Sequence, residues 1–522
     1  MRRARAVAWA AACAALAACG GRKEAAPAAT LTVLAGSEVK DLEPYLDEIR
    51  HATGVTLQLQ YSGTLAGVER LLGGEPFDAA WFSHGKYLML ADTGHNRVKA
   101  AERIMLSPVV LGVRAGKARA FGWVDNPNVT WAEVAARVRS GEFRYAMTNP
   151  TASNSGFSAV IGVAAALSHS ANALTAGQMD VRALHDFFQG QRLTAGSSGW
   201  LAEAYVRDQD RLDGIINYES VLLTLNRGGQ LKEPLVLVYP REGIVTADYP
   251  LVLLNGAKRA QYDTVVAFLR SAAFQRTIMT RTFRRPVNPD VALDSTFPRS
   301  LIVELPFPTD LAVVDRILDS YLADQRRPAH AFFLLDVSGS MRGPRLADLQ
   351  SALVALAGDD PSLTGRFAKF QPREVVTITT FSDLIQDQRE FALGSAAQAP
   401  AVRDSIKAYV QGLRAGGGTA MFSSLETVYQ NALTARARDA ERYLSIVLMT
   451  DGQSNQGIDL DGFRAFYASL PPGQRDVKVF AIQFGEADRS QLEGVTALTG
   501  GRLFPGTAGR LSTVFKEIRG YQ

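Results

Sequence analysis

Three short stretches of the chain place oxygen donors at spacings that could hold a cation. Ala331–Met341 reads AFFLLDVSGSM, an apolar run that leads into Asp336, Ser338 and Ser340 at alternate positions. Further on come Gly416, Gly417, Gly418 and Thr419, and then Thr450, Asp451 and Gly452. Each stretch alone has an ordinary explanation, since an aspartate can cap the next helix and a glycine run can be a plain turn. Together and in this order they supply carboxylates and hydroxyls, with no thiolate and no imidazole. Such hard oxygen donors suit Mg2+, with Mn2+ or Ca2+ as alternatives.

The elements around these stretches can be read from periodicity. Phe332–Leu335 is a short apolar run bounded by turn residues, as in a strand buried on both faces. Leu346, Leu349, Leu353 and Leu356 line one helix face, and Val375–Phe381 is a β-branched strand. Ile406, Tyr409, Val410 and Leu413 mark another helix, and Leu425, Val428, Tyr429, Ala432 and Leu433 a third. Leu444–Thr450 and Val477–Phe484 read as strands, and Leu511, Val514, Phe515 and Ile518 as a closing helix. The alternation predicts a doubly wound α/β sheet, whose ligands gather outside the carboxyl ends of its strands. Asp336, Thr419 and Asp451 all fall at such ends.

Residues 329–522 resemble the von Willebrand factor A (VWA) domain, and the DxSxS, GGGT and TDG stretches match its metal-ion-dependent adhesion site. The resemblance implies that Ser338, Ser340 and Thr419 contact the cation directly, while Asp336 and Asp451 act largely through water. Neutral hydroxyls leave the cation's charge poorly compensated, so an Asp or Glu of a protein partner can fill an open coordination position.

The preceding half alternates strands and helices. Leu31–Ala35 and Val55–Tyr61 read as strands. A helix carrying Leu42, Leu46 and Ile49 separates them, and one carrying Val68, Leu71 and Leu72 follows. That order argues a parallel sheet with helices on both faces. Ser62, Gly63 and Thr64 stand where a strand gives way to a helix, and unpaired N–H groups there can face an anion or polar ligand. Ser62 or Thr64 could equally be a plain N-cap. The stretches YSGT at 61–64, FDAAWFS at 77–83, TNPTASNSGF at 148–157 and NYES at 217–220, with the Pro-containing run near Pro108, resemble the type II periplasmic solute-binding proteins. That resemblance implies two α/β lobes with ligand in the cleft between them. Ser37, Ser62, Thr64, Ser83, Ser153, Asn154, Ser155 and Glu219 would then lie near the cleft and bind a small polar solute, an oxyanion being one candidate.

At the N-terminus, Arg2, Arg3 and Arg5 precede a small apolar run that ends in Leu16, Ala17, Ala18 and Cys19. The run is too short for a stable membrane span. It resembles the lipobox of bacterial lipoproteins, which implies cleavage before Cys19 and triacylation of it, palmitate included. A plain secretory signal is the alternative. Gly20 after Cys19, in place of Asp, leans toward the outer membrane in a cell that has two.

The predicted organisation is a lipoprotein signal over 1–19, a tether over 20–30 and a solute-binding-like domain over 31–305. A linker over 306–328 and the VWA domain over 329–522 follow.

The 522 residues are 47% hydrophobic and 21% charged, as in soluble globular domains, and the net charge is only +4. With no Lys/Arg block in the body, nucleic acid has little to hold on to. No Ser-His-Asp set, GxSxG elbow or Walker A lysine is visible, so no enzyme activity is expected. The expectation is an extracytoplasmic binding lipoprotein attached to the membrane by lipid alone. The alternative is a solute receptor of a transport system, with the VWA domain as docking module.

Overall fold

A computed structural model describes residues 29–168, 173–175, 177–298 and 302–522. Cys19 and the stretch read as a lipobox lie outside the described residues. The fold is mixed α/β throughout, and it divides as the sequence implied into a two-lobed unit and a doubly wound unit.

In the first lobe, β1 (Ala29–Ala35), β2 (Val55–Tyr61) and β3 (Ala79–Trp81) run parallel and are accompanied by β4 (Ala100–Arg103). The long strand β5 (Met105–Arg114) carries the chain into the second lobe. There it meets β6 (Tyr145–Thr148), β7 (Gln191–Ala195), β8 (Gly214–Tyr218), β9 (Leu235–Val238) and β10 (Thr246–Ala247). The strand β11 (Pro250–Leu253) then returns to the first lobe between β3 and β4, and β12 (Arg285–Pro286) pairs with the start of β5. The sheet orders are β2-β1-β3-β11-β4 and β10-β5-β8-β6-β7. The chain thus crosses between lobes twice.

One sequence expectation changes in detail. The helix expected through Leu42 and Ile49 is a 3-10 stretch, Ser37–Tyr45, followed by an α-helix, Leu46–Thr53. Pro44 lies at the join, where it has no N–H to give to an α-helical ladder. The segment after Pro306 carries a connecting helix, as the helical spacing of Leu311, Val314, Ile317, Leu318 and Tyr321 indicates. Its Leu311–Ser320 helix buries Val314, Ile317 and Leu318, and the Tyr87 hydroxyl donates to Asp315 Oδ1 at 3.2 Å.

The second unit has one sheet of β13 (Ala329–Asp336), β14 (Val375–Phe381), β15 (Ile385–Ala392), β16 (Tyr443–Thr450), β17 (Lys478–Gln483) and β18 (Leu503–Pro505). Its order is β15-β14-β13-β16-β17-β18, parallel except for the antiparallel edge strand β15. All eight residues of β13 and all seven of β14 are buried, because helices cover both faces. The strand β15 was not anticipated. Its sequence IQDQREFA is mostly polar and exposed, as an edge strand can be.

Buried charge joins the units. Glu374, at the start of β14, accepts from Arg519 Nη2 at 2.7 and 2.8 Å and also from Arg326. Burial opposes the Glu374 charge, but the two guanidiniums hold its pKa below the usual carboxylate range. Around this triad the second unit touches both lobes. The Thr364 N–H donates to Glu69 Oε2 at 2.8 Å on the first lobe, and Lys478 Nζ lies 2.9 Å from Asp208 on the second.

His330 sits inside β13, 4% exposed, with Nε2 2.8 Å from Thr377 Oγ1 and its ring stacked on Phe332 at 4.1 Å. Burial, reinforced by Arg442 and opposed by Asp439, lowers its pKa to about 4. The Glu390 carboxylate, 4.0 Å away, also faces it. A depressed histidine pKa means the unfolded chain binds the proton more tightly than the folded one. Its stabilising contribution is therefore whole above about pH 6.5 and is lost as pH falls toward 4, by roughly 3 kcal/mol in total. Urea unfolding of wild type and His330→Gln at pH 7 and pH 4.5 should show the wild type losing more stability by an amount of that order. An equal loss in both would refute the assignment.

Candidate cation site and solute cleft

The order of the second sheet reverses between β13 and β16, and this is where a crevice opens at the carboxyl ends of parallel strands. Asp336 is the last residue of β13, and Asp451 follows the last residue of β16. Asp336 Oδ1 accepts from the Ser338 N–H at 2.8 Å and Oδ2 from the Thr450 hydroxyl at 2.6 Å. The Ser338 and Ser340 hydroxyls are 3.0 Å apart, and Ser340 Oγ donates to Asp451 Oδ1 at 2.7 Å. Burial raises the Asp336 pKa, and the Ser338 and Thr450 donors offset this only in part.

The glycine loop is pinned onto the first loop by the Gly339 N–H to the Gly417 carbonyl at 2.9 Å and the Gly416 N–H to the Val337 carbonyl at 2.8 Å. Thr419 is held by its N–H to Asn455 Oδ1 at 3.0 Å and by its carbonyl, which accepts the Asn455 N–H at 3.0 Å. Gly417 has φ +87°, and a Cβ there would stand 2.8 Å from Asp383 Oδ2. Only glycine meets both conditions without strain.

Asp336, Ser338, Ser340 and Asp451 are thus linked by direct hydrogen bonds, and Thr419 is brought up beside them on the pinned loop. Two nearly fully buried carboxylates with hydroxyls between them fit a hard divalent cation. Among the described residues no group of three or more His, Cys, Asp and Glu could hold a metal, so any cation here relies on the hydroxyls. Sequence reasoning missed Arg345, whose Nη1 lies 2.6 Å from Asp451 Oδ2, and Asp383, which accepts the Gly418 N–H and Gln456 Nε2. The signal for Asp383 was the Ser-Asp pair right after β14, a third strand end; Thr419, expected at a strand end, stands instead on the loop between the helices Ala399–Gln411 and Met421–Arg438.

In the first unit the predicted cleft residues divide. Ser37, Ser62, Thr64, Ser153 and Asn154 line a cavity of about 1000 Å³. Ser83 and Ser155 are fully buried; Ser83 ties the first lobe to the second, and Ser155 is bonded within the second lobe. Asn154 Nδ2 donates to Ser83 Oγ at 2.5 Å, Ser83 shares a hydrogen bond with the Tyr218 hydroxyl at 3.0 Å, and Ser155 Oγ lies 3.0 Å from Ser198 Oγ. Glu219 is engaged elsewhere. Its carboxylate takes two hydrogen bonds from Arg285 at 2.7 Å each and one from Tyr239. Glu38 and Ser198 were not foreseen, though Ser198 opens a helix after β7 just as Thr64 does after β2. The Ser198 hydroxyl reaches Glu38 Oε1 at 3.3 Å across the cleft, and burial raises the Glu38 pKa.

These features define a two-unit α/β chain with a solute-type cleft in one unit and a hydroxyl–carboxylate crevice in the other. Residues 31–284 match the family model of a bacterial extracellular solute-binding protein, and residues 332–510 match that of the von Willebrand factor type A domain. The chain therefore carries a solute-binding domain followed by a VWA domain. No curated protein matches it. Solved structures similar to the chain include the periplasmic binding protein AfuA of Actinobacillus pleuropneumoniae, at 12% identity and TM-score 0.46, covering 57% of this chain and 98% of that one. The sulfate-binding protein SubI of Mycobacterium tuberculosis H37Rv matches at 19% identity and TM-score 0.41, covering 55% and 96%. A ferric binding protein from Campylobacter jejuni matches at 12% and 0.43, covering 56% and 96%.

Replacing Gly417 with alanine forces a Cβ into the Asp383 contact at a positive φ. It should destabilise the VWA domain by about 1–3 kcal/mol in urea unfolding. A change below about 0.5 kcal/mol, the level of an ordinary surface substitution, would show that the loop does not need this conformation.

Proposed function

We propose that the protein is a lipid-anchored binding protein of the bacterial envelope, exposed on the extracytoplasmic side. Its VWA domain holds a divalent cation, Mg2+ by preference, and captures an acidic group of a protein partner. Its solute-binding domain takes a small polar solute. The observation that carries the reading is the linked set Asp336, Ser338, Ser340 and Asp451 at the β13/β16 crevice, with Thr419 alongside. Ser338, Ser340 and Thr419 would hold the cation directly, and Asp336 and Asp451 would support it. The bound cation supplies a positive charge that a partner carboxylate can meet. Arg345 orients Asp451, and the Thr450 hydroxyl orients Asp336. Beside these loops lies a groove of about 760 Å³ walled by Asp383, Arg389, Tyr409 and Arg414, into which a partner segment could extend.

The extracytoplasmic placement draws on the match to an extracellular family. Attachment is assigned to Cys19 on the lipobox-like stretch that ends there; among the described residues no helix is long and apolar enough to cross a membrane. A second reading, a solute receptor for a transport system with the VWA domain as its docking module, is favoured by the position of that domain beside the cleft.

Mg2+ should raise the melting temperature of wild type, and Asp336→Ala should abolish that rise together with Mg2+-dependent pull-down from envelope extract. An unchanged melting temperature with Mg2+ and no calorimetric signal would sink the cation reading. Retention of pull-down by Asp336→Ala with solute binding intact would instead support the receptor reading. Cys19→Ser should move the protein from the membrane fraction to the soluble one; if it stays in the membrane fraction, the anchor lies elsewhere.

A further inference from the structure

The cavity of the solute-binding domain is walled on one side by the VWA domain. Opposite Ser62, Thr64, Ser153 and Asn154 stand Arg502, Arg510, Thr513 and Lys516. These belong to the last helix of the VWA domain (Leu511–Arg519) and the segment leading to it. The Gly520 backbone sits so close to Ala152 that a Cβ on it would lie 2.7 Å from the alanine methyl. Tyr521 packs edge-on against Trp200 at 4.9 Å, and Asn149 Nδ2 donates to the Arg519 carbonyl at 3.4 Å. A molecule seated at the helix starts of the two lobes therefore faces VWA side chains as well.

The wall chemistry narrows what that molecule can be. Three helices of nine, fourteen and eleven residues begin at or beside the cavity, at Thr64, Asn154 and Ser198, and their first N–H groups favour negative charge. On the VWA side the Arg510 guanidinium has no hydrogen-bond or ion-pair partner among the described residues, and Lys516 pairs with Asp360 while contacting Ser362 and Thr364. Of the cavity's carboxylates, Glu69 accepts the Thr364 N–H, Glu75 pairs with Arg70, and Glu517 lies 3.9 Å from Arg502. Glu38 has only the 3.3 Å contact from Ser198 on its side chain among the described hydrogen bonds. Asn154, 2% exposed, leaves Oδ1 with no hydrogen-bond partner among the described residues. A buried acceptor without a donor is costly, so a ligand that brings one gains affinity. A bare oxyanion brings none and meets the Glu38 carboxylate at close quarters.

We propose that the cleft is a site shared by both domains. It takes a small anion that also carries hydroxyl or amino donors, its charge held by the helix starts and Arg510 and its donors turned toward Asn154 Oδ1 and Glu38. This rests on the reading of the first domain as solute-binding, and it adds the VWA domain as part of the receptor.

Titration calorimetry on the full chain tests it with three probes: glycerol 3-phosphate, inorganic sulfate and glycerol. Glycerol 3-phosphate should bind at least about tenfold more tightly than sulfate, and glycerol should give no signal. Arg510→Ala should weaken glycerol 3-phosphate by about tenfold, as loss of a charged hydrogen bond does, without lowering the melting temperature. Unchanged affinity in Arg510→Ala with loss in Thr64→Val would overturn the sharing while keeping the solute cleft. Sulfate binding as tight as glycerol 3-phosphate would overturn the requirement for donors. Absence of binding by either anion would overturn the proposed ligand class. Binding unaffected by both Thr64→Val and Ser153→Ala would place the anion outside the cleft and remove the solute reading with it.

Discussion

Glu374 is a carboxylate 2% exposed to solvent, and a charge in that position is tolerable only while Arg326 and Arg519 stay on it. The three residues come from the end of the interdomain segment, the start of β14 and the last helix. Arg326 also donates to the Gln522 carbonyl at 3.0 Å, and Arg519 Nε to the Ala368 carbonyl at 3.0 Å. Removing Glu374 leaves two buried guanidiniums without their carboxylate, and removing either arginine leaves the carboxylate with one partner in place of two. The triad therefore fixes where the VWA domain begins, how its last helix lies, and where the turn after that helix goes. The turn goes to the solute cleft, with Tyr521 against Trp200 and Gly520 against Ala152. Much of what is specific to this chain, as opposed to its two domains taken singly, follows from that placement.

At the other end of the VWA sheet a different constraint operates. Parallel strands with helices on both faces leave their carboxyl ends free only where the order reverses. Asp336 and Asp451 are brought together there from 115 positions apart in the chain. Hydroxyls between them, and not further acids, keep local negative charge modest, and Arg345 adds a positive partner. In the solute-binding domain the same physics recurs: strands end, helices begin, and unpaired N–H groups line the space between.

The fold class was legible because each element carried its own local signature. AFFLLD and VVTITTF read as buried strands from composition alone, and the loops after them carry donors in a fixed order. The edge strand β15 was not legible, since IQDQREFA lacks an apolar face and is a strand only because β14 pairs with it. Pro44 was visible, but its effect on the Leu42–Ile49 helix was overlooked. The cleft was half legible. Ser62, Thr64, Ser153 and Asn154 carry helix-start signals, but the same signals stand at ordinary N-caps.

What the sequence determined by itself was local: which segments form strands and helices, where polar residues follow a strand, and where a cation or a polar solute could be met. Only the tertiary structure decided which of those polar residues share a site. Glu219 was drawn into a buried pair with Arg285, Ser83 into a contact between lobes, Ser155 into the second lobe's own hydrogen bonds, and Arg510 to the solute cleft from more than 350 residues beyond Asn154. The reason is physical. Propensity and periodicity act over a few residues, whereas charge pairing and burial depend on distances in space. The triad at Glu374 sets those distances across the domain boundary.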